Sequence, residues 1–123
     1  MAWTLRRPRN TGEIMLTPAL LPALTAGAIA VNREDSGVTF TLNGAVFGTL
    51  SSTQATPVTI ANVIPVGYRS SRWIPFRTTG IYGAQRDIRT HNGGDIQIFG
   101  LQPGDVLNGH VFYFTNQPMP GGA

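Results

Sequence analysis

The chain has 123 residues, enough for one domain with one core, and 41% of them are apolar, which excludes a disordered polymer. Only 12% are charged, about half the roughly 25% usual for soluble domains, so much of the surface is expected to face other protein. The net charge of +3 resides in Arg6, Arg7 and Arg9, because from residue 10 onward six Arg face six acids, and this excludes an extended basic groove for nucleic acid.

No Cys is present, so disulfides and thiolate metal sites are excluded. Fifteen Gly and nine Pro argue for turns over long helices. Residues 1–26 read as an extended arm. Trp3, Leu5, Arg6, Arg7 and Arg9 surround Pro8 with no periodicity. The apolar run Ile14–Ala30 is broken by Pro18 and Pro22, which removes it as a membrane span. The same prolines, with Glu13, count against a signal peptide. Pro22 also breaks any helix begun at Thr17-Pro18, leaving a single turn or an apolar strap. That strap, with Leu20 and Leu21, packs along its own domain or docks on a neighbouring subunit.

Residues 27–118 read as an antiparallel β-sandwich. Ala28–Val31 leads to a polar turn, Asn32–Gly37. Val38, Phe40 and Leu42 then alternate with Thr39 and Thr41, the period of a half-buried strand. Asn43-Gly44 signals a hairpin, with Ala45–Phe47 as the return. A polar loop over 48–57 precedes the short strand Val58-Thr59-Ile60. Pro65 and Pro75 confine their segments to edges, ends or bulges. Thr78–Gly83 is a loop bearing Ile81 and Tyr82. Asn92-Gly93-Gly94-Asp95 is the strongest turn signal in the chain, between strands Arg86–His91 and Ile96–Phe99. Gln102–Asp105 turns into the closing strand Val106–Phe114, and residues 119–123 read as a flexible tail. Seven or eight short strands with frequent turns define a small all-β sandwich.

Few residues here carry chemistry. His91 and His110 lack metal-ligand spacing, and no cofactor motif is present. Asp87 and Asp95 flank one hairpin and could face each other as an acid–base pair, but the neighbouring Arg86 and Arg89 would hold both ionised, so structural salt bridges are the expectation. No nucleophile elbow surrounds any serine. The chain therefore reads as non-enzymatic. The candidate partner or receptor surface is Arg69, Arg72, Trp73, Arg77, Tyr82, Arg86, Arg89 and His91, which interleaves Arg with the aromatics that dominate binding hot spots. Trp73 and Phe76 read as core, Tyr82 as exposed.

Four phrases carry a family resemblance: Asn32–Phe40, Ile64-Pro65-Val66-Gly67-Tyr68-Arg69-Ser70-Ser71 with Trp73-Ile74-Pro75-Phe76, Asp87-Ile88-Arg89-Thr90 with Gly94-Asp95-Ile96-Gln97-Ile98, and Leu107-Asn108-Gly109-His110-Val111-Phe112. On these, residues 27–115 resemble the small β-sandwich domain that ends many bacteriophage tail fibres and minor tail proteins, particularly in phages of actinobacteria. The resemblance implies a jelly-roll-like homotrimer with no cofactor and no catalytic residues. It implies a virion protein at the tail tip or fibre. Residues 1–26 would join it to other virion proteins, with Trp3, Leu5, Arg6, Arg7, Arg9, Leu20 and Leu21 as the anchor. The sandwich would meet host glycan or a neighbouring virion protein. The rivals are a capsid decoration protein and a carbohydrate-binding module or enzyme.

Overall fold

The computed structural model describes residues 9–120. Eight strands form the body: β1 (Asn10–Leu16), β2 (Ala26–Glu34), β3 (Gly37–Val46), β4 (Val58–Ile60), β5 (Ile74–Arg77), β6 (Asp87–Thr90), β7 (Ile96–Phe99) and β8 (Leu107–Phe114). They make two antiparallel four-stranded sheets, ordered β1-β2-β3-β8 and β4-β7-β6-β5. Successive strands mostly stay within one sheet. The jelly-roll order expected from the resemblance is thus replaced by two meanders, each completed by a strand from elsewhere in the chain.

Alternation builds the core. In β3, Val38, Phe40 and Leu42 are buried, while Thr39 and Thr41 face outward. Ile29 and Val31 of β2 join them from the same sheet, and Ile88, Ile96 and Ile98 answer from the second. Phe40 and Phe76 bridge the layers edge-to-face at 6.1 Å. Each fully buried Ile, Leu or Phe contributes roughly 1.5–3 kcal/mol, which makes this interior the main source of stability.

Three expectations are corrected. The sandwich begins at Asn10, within the expected arm, because Ile14 and Leu16 of β1 pair with Val31 and Ile29. The strap beyond it folds back through the Leu21 N–H to Thr17 C=O bond (2.8 Å) and drops Leu21 and Leu24 into the core. Asn43-Gly44 makes no hairpin. β3 runs straight through it with a bulge, Gly44 at φ 63° and its N–H donating to Asn108 Oδ1 (2.7 Å). The β2–β3 hairpin shrinks to Asp35-Ser36, with Asp35 at φ 51°.

Arg33, expected in that turn, is instead a buried tie. It is 6% exposed, and its guanidinium donates to the carbonyls of Asp35 (2.6 Å), Gly67 (2.6 Å) and Pro118 (3.1 Å). Gln117 Oε1 accepts from the N–H groups of Gly67 and Arg69, and Pro120 lies against Gly67. The segment after β8 is therefore clamped to the 65–69 loop as far as Pro120, inside the expected tail. The Asn92–Asp95 hairpin forms as read. His91 N–H donates to Asp95 C=O, Gly94 N–H to His91 C=O, and Gly94 takes φ 88°.

Candidate functional site

The outward face of the second sheet holds the most developed polar and aromatic cluster among the described residues. In β6, Ile88 and Thr90 point inward, so Arg89 points out. In β7, Ile96 and Ile98 point inward, so Gln97 and Phe99 point out. The β6–β7 register sets Arg89 opposite Gln97, and Arg89 Nε donates to Gln97 Oε1 at 2.6 Å. Gln97 Nε2 continues the chain to Thr59 Oγ1 at 3.1 Å on β4.

The Arg89 guanidinium carbon sits 4.2 Å from the Trp73 ring centroid and 5.3 Å from that of Phe99. Stacking of this kind contributes about 0.5–1 kcal/mol at exposed positions and holds the plane in place. No carboxylate pairs with Arg89 among the described residues. Trp73, expected as core, is 45% exposed, because it precedes β5 and leans on the outside of the sheet. On it rests the His91 ring, centroids 4.2 Å apart at 64°. His91 Nδ1 accepts from Gly93 N–H at 3.1 Å, so the proton of neutral His91 sits on Nε2.

Arg69 crosses beneath the same turn. Its Nε donates to Ile64 C=O (2.8 Å), and the side chain lies so close to Gly94 that a Cβ there would meet it at 2.4 Å. Arg72 is exposed and lines a groove of about 330 Å³ with Ser70, Ser71, Ile74, Phe112 and Phe114. The structure thus gathers Arg69, Trp73, Arg89 and His91, with Arg72 next to Trp73 in the chain.

It does not bring in the other three. Arg77 is paired with Asp87 at 2.8 Å, both exposed, which lowers the Asp87 pKa through that hydrogen bond. Arg86 holds Asp105 at 2.8 Å in a more sheltered pair. Burial pushes the Asp105 carboxyl up, but the bonds from Arg86 and the Gln102 N–H outweigh it and leave it below the ordinary value. Tyr82 is 94% exposed on a separate loop.

Asp87 and Asp95 do not face each other. Asp87 pairs with Phe99 at the open end of the hairpin, and Asp95 lies in the turn, accepting from Asn62 N–H at 3.0 Å. The ionising partner of Asp87 is Arg77, neither Arg86 nor Arg89. Among the described residues no three His or acidic side chains gather to hold a metal ion.

Of the anchor residues, Trp3, Leu5, Arg6 and Arg7 lie outside the described residues. Arg9 joins the body through its main chain, its C=O accepting from Asp35 N–H at 2.7 Å. Leu20 is 66% exposed, whereas Leu21 is buried and cannot serve as an anchor while this core is intact. Sequence reasoning missed Gln97, Phe99 and Thr59. The signal was present in the alternation of Ile96 and Ile98, which turns Gln97 and Phe99 to the other face.

The arrangement offers one fixed guanidinium between two aromatic faces, with hydrogen-bonding groups in line across three strands. That is equipment for holding a planar or sugar-like group, and it supplies no acid–base pair. Comparisons with protein families, with curated proteins and with solved structures find no match to this chain.

Proposed function

We propose that this chain is a non-enzymatic structural protein of a bacteriophage virion, of the minor tail or tail-fibre-tip kind, assembled as a homotrimer. The single observation that carries the binding role is Arg89, stacked on Trp73 and Phe99 and bonded to Gln97, yet matched by no carboxylate among the described residues. A cation so positioned, beside a half-exposed Trp, is suited to host glycan or to a polar patch on a neighbouring virion protein. The phage assignment rests on the resemblance of residues 27–115, and the low charge of the chain supports self-association. With Leu21 buried, attachment to other virion proteins falls to Trp3, Leu5, Arg6, Arg7 and Arg9, with Leu20 exposed nearby in the sequence.

Immunogold labelling of purified particles with antibody to the sandwich tests the assignment. A few grains at the tail tip are expected. Dense label over the head shell would favour the decoration protein instead, and particles without label would refute a virion role.

A further inference from the structure

The hairpin that carries Arg89 and His91 also holds a pair of residues prone to react with each other. Asn-Gly occurs three times, at 43–44, 92–93 and 108–109. In such a pair the glycine main-chain nitrogen can attack the carbonyl carbon of the Asn side chain. No glycine side chain blocks the approach, and the reacting atoms belong to adjacent residues. A peptide nitrogen is a poor nucleophile, because its lone pair is shared with its own carbonyl. It reacts as its proton leaves. A base on that N–H, and freedom for the Asn side chain to swing, therefore decide which pair reacts.

The fold separates the three. Asn43 pairs with Ala28 inside the first sheet, and Gly44 N–H is committed to Asn108 Oδ1 at 2.7 Å. The same bond holds the Asn108 carboxamide, and a Cβ at Gly83 would meet its Nδ2 at 3.0 Å. The Asn108 C=O accepts from Thr79 N–H at 2.8 Å, and Gly109 stands in register with Leu42. Asn92 and Gly93 are held far less. Both are exposed, at the centre of a turn closed by Gly94 N–H to His91 C=O at 2.9 Å. The Asn92 carboxamide bonds to nothing among the described residues. Gly93 N–H, whose proton must leave, donates to His91 Nδ1 at 3.1 Å. Trp73 steadies that ring, with centroids 4.2 Å apart.

We propose that Asn92-Gly93 is a self-modification site, with His91 as its general base. His91 Nδ1 takes the Gly93 amide proton as that nitrogen bonds to Asn92 Cγ. The imidazolium then hands the proton to Asn92 Nδ2. The Cγ–Nδ2 bond breaks, and ammonia leaves a five-membered succinimide. Water opens the ring at either carbonyl and leaves aspartate or isoaspartate at position 92. In sum one water is consumed and one ammonia released, with no change of oxidation state. A base within about 2.6–3.2 Å of the group it deprotonates meets the geometric requirement for this role. Either product lowers the net charge of +3 by one. It also sets a carboxylate on the hairpin of Arg89, a cation that no carboxylate matches among the described residues. Isoaspartate further adds a methylene to the main chain inside the turn. The step needs no partner molecule, so it stands independently of the virion reading.

Tandem mass spectrometry of the whole chain, aged for several weeks at neutral pH, tests this. It reads the conversion of amide to acid at each Asn, in folded protein and in a parallel sample unfolded in guanidinium chloride. Unfolded, the three Asn-Gly pairs should react at similar rates. Folded, Asn43 and Asn108 should each slow about tenfold or more, since they must wait for local opening. Asn92 should match or exceed its unfolded rate. His91→Phe keeps a ring against Trp73 but has no nitrogen to accept the proton. In the folded chain it should slow Asn92 about tenfold or more, against the roughly 10²–10⁴-fold typical of a positioned base, and leave the other two pairs unchanged. The wild-type comparison of folded with unfolded chain requires no variant, so it stands even where His91→Phe disturbs the turn. A folded Asn92 as slow as Asn43 and Asn108 would overturn the proposal, and so would an Asn92 that reacts as fast without His91.

Discussion

Replacing Arg33 with Met should destabilise the sandwich more than any surface substitution. The guanidinium is almost wholly buried and satisfies three carbonyls, those of Asp35, Gly67 and Pro118. Met fills the volume of the stem but leaves the three acceptors without a donor. A net bond to a charged group contributes about 1.5–3 kcal/mol, and an orphaned buried carbonyl costs about 1–3 kcal/mol. Against this, Met spares the desolvation of a buried cation, which removes a large share of the gross loss. About 3–5 kcal/mol remains. Unfolding entropy near 2.1 cal/mol/K per residue gives roughly 0.26 kcal/mol/K for 123 residues, so Tm should fall by about 12–20 °C. Differential scanning calorimetry reads the shift. Hydrogen exchange should show its centre at the Gly67 and Arg69 amides, which bond to Gln117 beside the clamp. An Arg33→Met protein that melts within about 3 °C of wild type would refute the reasoning, whatever its solubility.

The sheltered Asp105–Arg86 pair makes stability depend on acid. The folded Asp105 pKa lies below its ordinary value, so its contribution is present above about pH 4 and is lost as pH falls through the folded value. Asp105→Asn should cost roughly 1 kcal/mol at pH 7 and flatten the urea-midpoint profile between about pH 5 and pH 2, whereas Asp87→Asn, in the exposed pair, should change it little. Glycine substitutions separate crowding from backbone strain. Gly27→Ala puts a Cβ 2.0 Å from Gly44 O at φ +74°, and should cost more than about 3 kcal/mol in denaturant unfolding. Gly104→Ala, at φ +83° with nothing within 4 Å, should cost only about 1–2 kcal/mol.

Much of the architecture was legible because alternation and turn chemistry are local. Val38–Leu42, Val58–Ile60 and the Asn92–Asp95 hairpin all stand where period-two patterning and positive-φ residues put them. The failures came where distant chain decided the outcome. Asn43-Gly44 has the chemistry of a hairpin, but the Asn108 side chain and the partner strands on both sides convert it to a bulge. β1 lacks alternation through Asn10–Glu13 because a bulge interrupts its register. Arg33 looked like a solvated turn residue, since nothing nearby in the sequence shows that Gly67 and Pro118 converge on it. The site was half legible. Of the residues singled out in the sequence, Arg89 and His91 lie against Trp73, but stacking on the outer face depends on cross-strand register. That register separated Arg77 and Arg86 into ion pairs and brought in Phe99 and Gln97.

The loop between β5 and β6 has a consequence of its own. Its rim is fastened at Thr79 N–H to Asn108 C=O, at Ala84 N–H to Val106 C=O, and by the Thr78 hydroxyl to Ala84 C=O. Gly83 is wedged against Val106. At the tip, Ile81 and Tyr82 stand in water, and Tyr82 holds φ 60°, a conformation that non-glycine residues adopt at a cost of roughly 1–3 kcal/mol. The scaffold thus keeps a phenol pointed outward under tension, like a finger held extended by a splint. Whatever grips that finger meets a ready-made shape and forfeits little disorder in doing so.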